Sequence, residues 1–200
     1  MPVIGITGGI ATGKSALSQR LRALLPSATF FDADRAAREL TDRDGEVQAL
    51  IRQTFGAEIY SPVGDLNRAQ LRTIVFSDPE KKRALEQILH PRIRRQWTRE
   101  ADSRRDSSEL FFADIPLLYE TGGEAFCDRV VVVACTKRVQ RQRLMARSSL
   151  TQTAAEEMIA AQMPLHEKVA RADHVVWNNG PLGALEAQSE ILAHTWRAFR

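Results

Sequence analysis

Within its first 25 residues the chain commits itself to an α/β fold. Residues 3–7, Val3-Ile4-Gly5-Ile6-Thr7, read as a short buried strand, and residues 16–25 read as a helix. Between them, Gly8-Gly9-Ile10-Ala11-Thr12-Gly13-Lys14-Ser15 satisfies G-x-x-x-x-G-K-[ST] at every constrained position. The glycines let the backbone curl so that successive N–H groups point at one polyphosphate, and the helix adds its positive N-terminal end. The expected nucleotide contacts are Gly9, Ile10, Ala11, Thr12, Gly13, Lys14, Ser15 and Ala16. Lys14 is expected to reach the β and γ phosphates, and the Ser15 hydroxyl to ligate Mg²⁺. A loop of this kind in this setting binds a nucleoside triphosphate such as ATP.

The rest of the chain supports a doubly wound parallel sheet. Further strands are expected at residues 29–32, 110–114, 129–134 and 174–177, separated by helices. Residues 110–114 and 129–134 are near-continuous apolar runs, as parallel strands buried on both faces require. Residues 35–100 read as helices at 46–55, 68–76 and 79–97, too long a stretch for one crossover, so a substrate-side insertion is expected there. Pro91 predicts a kink or break in the last of these. Helices at 137–147, 153–162 and 182–199 complete the pattern. At 200 residues this amounts to one α/β core with a helical insert.

Composition removes several functions. The net charge is only +3, and no dense basic run or high aromatic content suggests a nucleic-acid partner. No apolar segment approaches a membrane span, and no basic, cleavable leader precedes the first strand, so a cytoplasmic protein is expected. Cys127 and Cys135 have no metal-ligand spacing and read as reduced core thiols. Nothing in the sequence specifies an oligomer, and a monomer is the expectation.

Three further groups carry chemistry. Asp32 and Asp34 flank Ala33 at the end of the second strand; in an extended segment both carboxylates would point the same way. A kinase needs such a carboxylate to orient the acceptor hydroxyl and take its proton, whereas a helix start needs one as an N-cap. The residue types leave both roles open, and one Asp can cap while the other acts. Asp114 ends the third strand, the position of a carboxylate that holds Mg²⁺ directly or through water. Leu117 stands where a switch GTPase needs glycine, Asn178-Asn179-Gly180 replaces a guanine-reading N-K-x-D, and Ile115 replaces the Glu usual in motor ATPases. On the helix at 137–147, Gln140, Arg143 and Arg147 share one face, with Arg138 and Arg141 elsewhere. Arginines so arranged suit a lid over transferring phosphate. By residue type alone, His90 is structural, and Leu117 and Leu118 are core or turn-wall residues.

Together these strings resemble the dephospho-CoA kinase family along nearly the whole chain: Thr7-Gly8-Gly9-Ile10, Asp32-Ala33-Asp34, His90-Pro91, Asp114-Ile115-Pro116-Leu117-Leu118, the lid residues, and Asp173 to Gly180. The resemblance implies a single P-loop kinase domain that transfers the ATP γ-phosphate, with Mg²⁺, to the ribose 3′-hydroxyl of dephospho-CoA. It implies a core at residues 1–34, 108–136 and 172–200, a helical CoA-binding insert at about 35–107 and a lid at about 137–171. It also implies roles for residues. Asp34, Lys14 and Arg143 would be catalytic, and Asp32, Asp34, His90, Asp114, Leu117 and Leu118 would line the acceptor. Arg143, Arg147, Asn178 and Gly180 would join the nucleotide site, and Ser15 and Asp114 the metal. Relatives often carry glycine where this chain has Ala11, which matters only if position 11 needs a positive φ.

Overall fold

The computed structural model describes residues 2–107, 109–148 and 150–197. By chain contacts it divides into two units, Met1–Phe31 with Glu100–Arg200, and Asp32–Arg99.

The first unit is built on a five-stranded sheet of order β2-β3-β1-β4-β5. Its strands are β1 (Val3–Gly8), β2 (Thr29–Asp32), β3 (Phe111–Asp114), β4 (Arg129–Ala134) and β5 (His174–Trp177). β1 pairs in parallel with β3 and β4, and β4 with β5; the register sets Ile6 opposite both Asp114 and Val131. The apolar runs are buried as their composition requires, β1 along its whole length. α1 (Lys14–Leu24) turns Leu17 and Leu21, four residues apart, onto Ile4 and Ile6. α9 (Leu182–Arg197) covers the same face with Leu185, Leu192 and Trp196. Residues 198 and 199, where the closing helix is expected to end, lie outside the described residues. Phe30 stacks on Phe112 at 4.5 Å between ring centroids, and Phe112 meets Trp196 edge-on at 5.3 Å.

α6 (Lys137–Ser148), α7 (Gln152–Ala160) and α8 (Leu165–Ala170) run between β4 and β5. α8 packs on β4 and gives no apolar periodicity to find, because its buried residue is a lysine, Lys168. Cys127 and Cys135 are free thiols. Burial pushes Cys127 up to about 12, with neighbouring carboxylates adding to the shift.

The second unit holds α2 (Ala33–Arg43), α3 (Gly45–Phe55), α4 (Arg68–Ser77) and most of α5 (Pro79–Asp102). Its own core joins Val47, Ile51, Phe55, Ile59, Tyr60, Leu71 and Ile88. Two expectations are corrected here. The extended segment stops at Asp32: Asp32 is the N-cap of α2 and Asp34 lies in its first turn, so the two carboxylates do not share a strand face. Nor does Pro91 end α5, which continues to Asp102. The proline withholds one N–H from the Gln87 carbonyl. A single lost bond is offset where Leu85, Ile88 and Leu89 pack in the core and the Arg92 guanidinium donates to the Ile88 carbonyl at 2.9 Å. No helix among the described residues is long and apolar enough to cross a membrane.

Candidate active site

The phosphate loop takes its shape from two left-handed residues. Gly13 sits at φ 100° as the N-cap of α1, and its carbonyl accepts from Ala16 N and Leu17 N. A Cβ there would fall 2.1 Å from Asn178 Nδ2, so glycine is required twice over. Ala11 has φ 59°, the single positive φ at a non-glycine position among the described residues. Position 11 therefore does need the conformation that relatives often supply with glycine, and alanine adopts it at a cost of about 1–2 kcal/mol. Thr12 tightens the turn: its Oγ1 donates to the Gly9 carbonyl at 2.8 Å. The Ile10 N–H, one of the expected nucleotide contacts, donates here to Gln162 Oε1 at 2.8 Å.

Lys14 and Ser15 open α1, Ser15 exposed. The Lys14 ammonium pairs with Asp114 Oδ1, and Ser18 Oγ, one turn further along α1, donates to Asp114 Oδ2 at 2.6 Å. Asp114 is buried at the end of β3, where the parallel register beside β1 delivers it next to the loop. A carboxylate held by a lysine and a hydroxyl is poised for charge exchange: a phosphate can take the lysine, and a cation can take the carboxylate. Ser18 escaped the sequence reading, although its spacing from Lys14 puts both on one helix face.

Beyond Asp114 the chain turns. The Pro116 carbonyl accepts from Thr7 Oγ1 at 2.9 Å and from the fully buried Lys168 at 3.2 Å. Lys168 also pairs with Glu120 at 2.8 Å. Of the two leucines expected at the acceptor, Leu117 is partly exposed, but Leu118 is fully buried and abuts Gly5 and Gly123. Leu118 is a core residue here, the role its apolar type gives by default.

α6 turns Gln140 and Arg143 onto the loop. Gln140 is buried and its Nε2 donates to the Ile10 carbonyl at 2.7 Å. Arg143 Nη1 donates to the Thr12 carbonyl at 3.2 Å, and Asn178 Nδ2 donates to the same carbonyl at 2.9 Å. Arg147, expected on the same face, is exposed one turn further on and is not brought to the loop. Arg138 is exposed as expected, whereas Arg141 forms an ion pair with Glu156 of α7 at 2.7 Å rather than lying on a free basic face. Asn178 is buried against the loop, and Gly180 is exposed. Asn179 Oδ1 accepts from Thr136 N at 2.6 Å, fixing the end of β5 beside the start of α6.

In the second unit, Asp32 Oδ1 accepts from Arg35 N at 3.0 Å. This is the side-chain cap, and it leaves Asp34 as the other carboxylate of the pair. His90 is half-buried on α5; burial holds its pKa below the usual histidine value, with Glu86 opposing and Arg94 adding to the shift.

Comparison with known proteins adds a lineage to this geometry. Residues 2–183 match the family model for dephospho-CoA kinase. A dephospho-CoA kinase of Anaeromyxobacter dehalogenans is 45% identical over 201 residues, covering 100% of this chain and 94% of its own. One from Bacillus cereus is 40% identical over 195 residues, 97% of this chain and 96% of its own. A crystal structure from Thermus thermophilus, 36% identical, superposes with a TM-score of 0.76 over 96% of this chain and 97% of that one.

Proposed function

The chain belongs to the dephospho-CoA kinase family, and from that premise we propose how its own residues transfer the γ-phosphate of ATP to the ribose 3′-hydroxyl of dephospho-CoA. The observation that carries the assignment is the set of side chains meeting one loop: Lys14 beside Asp114, with Arg143 and Asn178 on the Thr12 carbonyl. Lys14, Asp114 and Arg143 are groups that phosphoryl transfer needs, because such catalysis is mostly positioning and charge neutralisation, and Asn178 helps hold the loop on which they meet.

In this reading the loop N–H groups and Lys14 hold the triphosphate, Lys14 leaving Asp114 as the phosphates arrive. Ser15 and Asp114 are the residues that would hold Mg²⁺. The donor set fits: both are oxygen donors, Ser15 at the start of α1 and Asp114 beside Lys14, and a hydroxyl plus a carboxylate is what a phosphate-bound Mg²⁺ takes from a protein, the remainder coming from phosphate and water. When bound, the ion supplies charge neutralisation at the phosphates. Arg143 turns its guanidinium to the transferring phosphoryl group when the lid closes. Asp34 orients the acceptor hydroxyl and takes its proton as the O–P bond forms, while ADP leaves. Asp32, already the cap of α2, holds the helix that carries Asp34. Asn178 and Gly180 border the adenine, and His90 and Leu117 serve the dephospho-CoA side.

A coupled ADP-release assay tests the reading. Rapid release with dephospho-CoA, and little with nucleosides or nucleoside monophosphates, is the expected result. Faster release with a nucleoside acceptor would reassign the enzyme to a nucleotide kinase.

A further inference from the structure

Ile10 is anchored on both sides of its backbone. Its N–H donates to Gln162 Oε1 at 2.8 Å and its carbonyl accepts from Gln140 Nε2 at 2.7 Å. The two glutamines come from different elements, Gln140 from the buried face of α6 and Gln162 from the turn after α7. That turn is itself fastened, since Met163 N donates to Glu120 Oε1 at 3.0 Å. On the other side of Ala11, the Thr12 carbonyl is held by Arg143 and Asn178. Ala11, at φ 59°, thus lies between two pinned residues.

An alanine left to itself returns to negative φ. Doing so here would rotate the peptides on either side of it and take the loop out of its anion-binding curve. Gln162 Oε1 and Gln140 Nε2 are both spent on the Ile10 backbone, so what these two contacts supply is geometry. We propose that Gln140 and Gln162 are positioning residues that hold the phosphate loop in its nucleotide-accepting shape against the backbone preference of Ala11. The proposal deepens the reading above and rests on its assignment of the loop to ATP. In a chain with glycine at position 11 the same clasp is needed less, because glycine enters the left-handed region without penalty.

The coupling between position 11 and the clasp is the test. ATP affinity by calorimetry, and KM for each substrate, are measured for Gln162→Leu, Ala11→Gly and the double variant. Gln162 is only half-buried, so water can satisfy the released Ile10 N–H and the variant folds; a melt confirms it. Gln140→Leu, at a buried site, is a second, harsher probe. Gln162→Leu is expected to weaken ATP binding about tenfold, the equilibrium equivalent of the left-handed alanine's penalty, with KM for dephospho-CoA unchanged. In the Ala11→Gly background the same change is expected to cost no more than about twofold. Equal losses in both backgrounds would overturn the proposal, as would unchanged ATP affinity or an equal rise in KM for both substrates. Lys14→Met separates this failure from a deeper one. If Lys14→Met binds ATP poorly and Gln162→Leu binds normally, the clasp alone is wrong. If Lys14→Met binds ATP normally, the loop assignment is wrong and the clasp falls with it.

Discussion

At Asp32 and Asp34 a small difference in position separates a helix cap from the carboxylate proposed to take the acceptor proton. Asp32 caps α2, and asparagine caps as well as aspartate, so Asp32→Asn should leave stability and turnover near the parent values. Asp34→Asn keeps the size but cannot take a proton; turnover should fall about 10²-fold or more with ATP affinity preserved. Steady-state kinetics of the two variants side by side decides it, and the reverse ranking would exchange the roles. Arg143 makes a parallel case. Its planar fork meets the Thr12 carbonyl through Nη1 and Asn178 Oδ1 through Nη2, a spacing of two nitrogens that a single ammonium nitrogen on a shorter side chain does not reproduce. Arg143→Lys should lower turnover about tenfold or more, and the exposed Arg138→Lys should do nothing measurable. Equal, small effects at both would reduce α6 to a basic surface helix.

Among the elements, α8 and α5 carry residues whose effects are felt through packing. Lys168 is the one buried side chain that α8 offers, and it ties the Gly8 and Pro116 carbonyls to Glu120. Lys168→Met should destabilise the protein by about 3 kcal/mol in urea unfolding, the lower end for a broken buried pair because Glu120 stays partly solvated. Glu120→Gln should cost less, since it leaves the amide oxygen for Lys168 and Met163 N. On α5, His90 has a pKa depressed chiefly by burial. The unfolded chain binds a proton at about pH 6.5 and the folded one only lower, so below pH 6.5 the unfolded state gains the proton first. Stability should therefore drop as pH falls from about 7.5 towards about 5.5, and His90→Gln should flatten that drop. Urea midpoints at the two pH values measure it; an unchanged slope in the variant would assign the drop to other groups.

For the whole molecule, nucleotide binding and folding stability are linked. ATP at about 100 times its dissociation constant should add about 2.7 kcal/mol, a rise of roughly 5–10 °C in melting temperature for a chain of this size. Lys14→Ala should abolish most of that rise at the same ATP concentration, each protein being read against its own nucleotide-free melt, which in the variant should lie lower because Asp114 stays buried without its cation. The sequence by itself determined the sheet and its loop, because the apolar strands, the glycine spacing and the Lys-Ser that follows are local patterns with one physical reading. It also marked Lys14, Asp114 and Arg143 for the phosphate site, each in the loop motif, at a strand end or on a legible helix face, whereas Asn178 entered through the family resemblance alone. Tertiary structure decided the rest. Whether position 11 needs a positive φ depends on what pins residues 10 and 12, and those partners come from α6, the turn after α7 and the end of β5. Leu118 became core because Gly5 and Gly123 leave it room, and Asp32 became a cap because α2 begins immediately after β2. Lys168 could not be placed in advance: a lone lysine in a short segment reads as solvent-facing until carbonyls from two other strand ends and a carboxylate converge on it. Local patterns fix backbone shape, but the fate of a polar side chain depends on which distant groups the fold sets around it, and that information is not local.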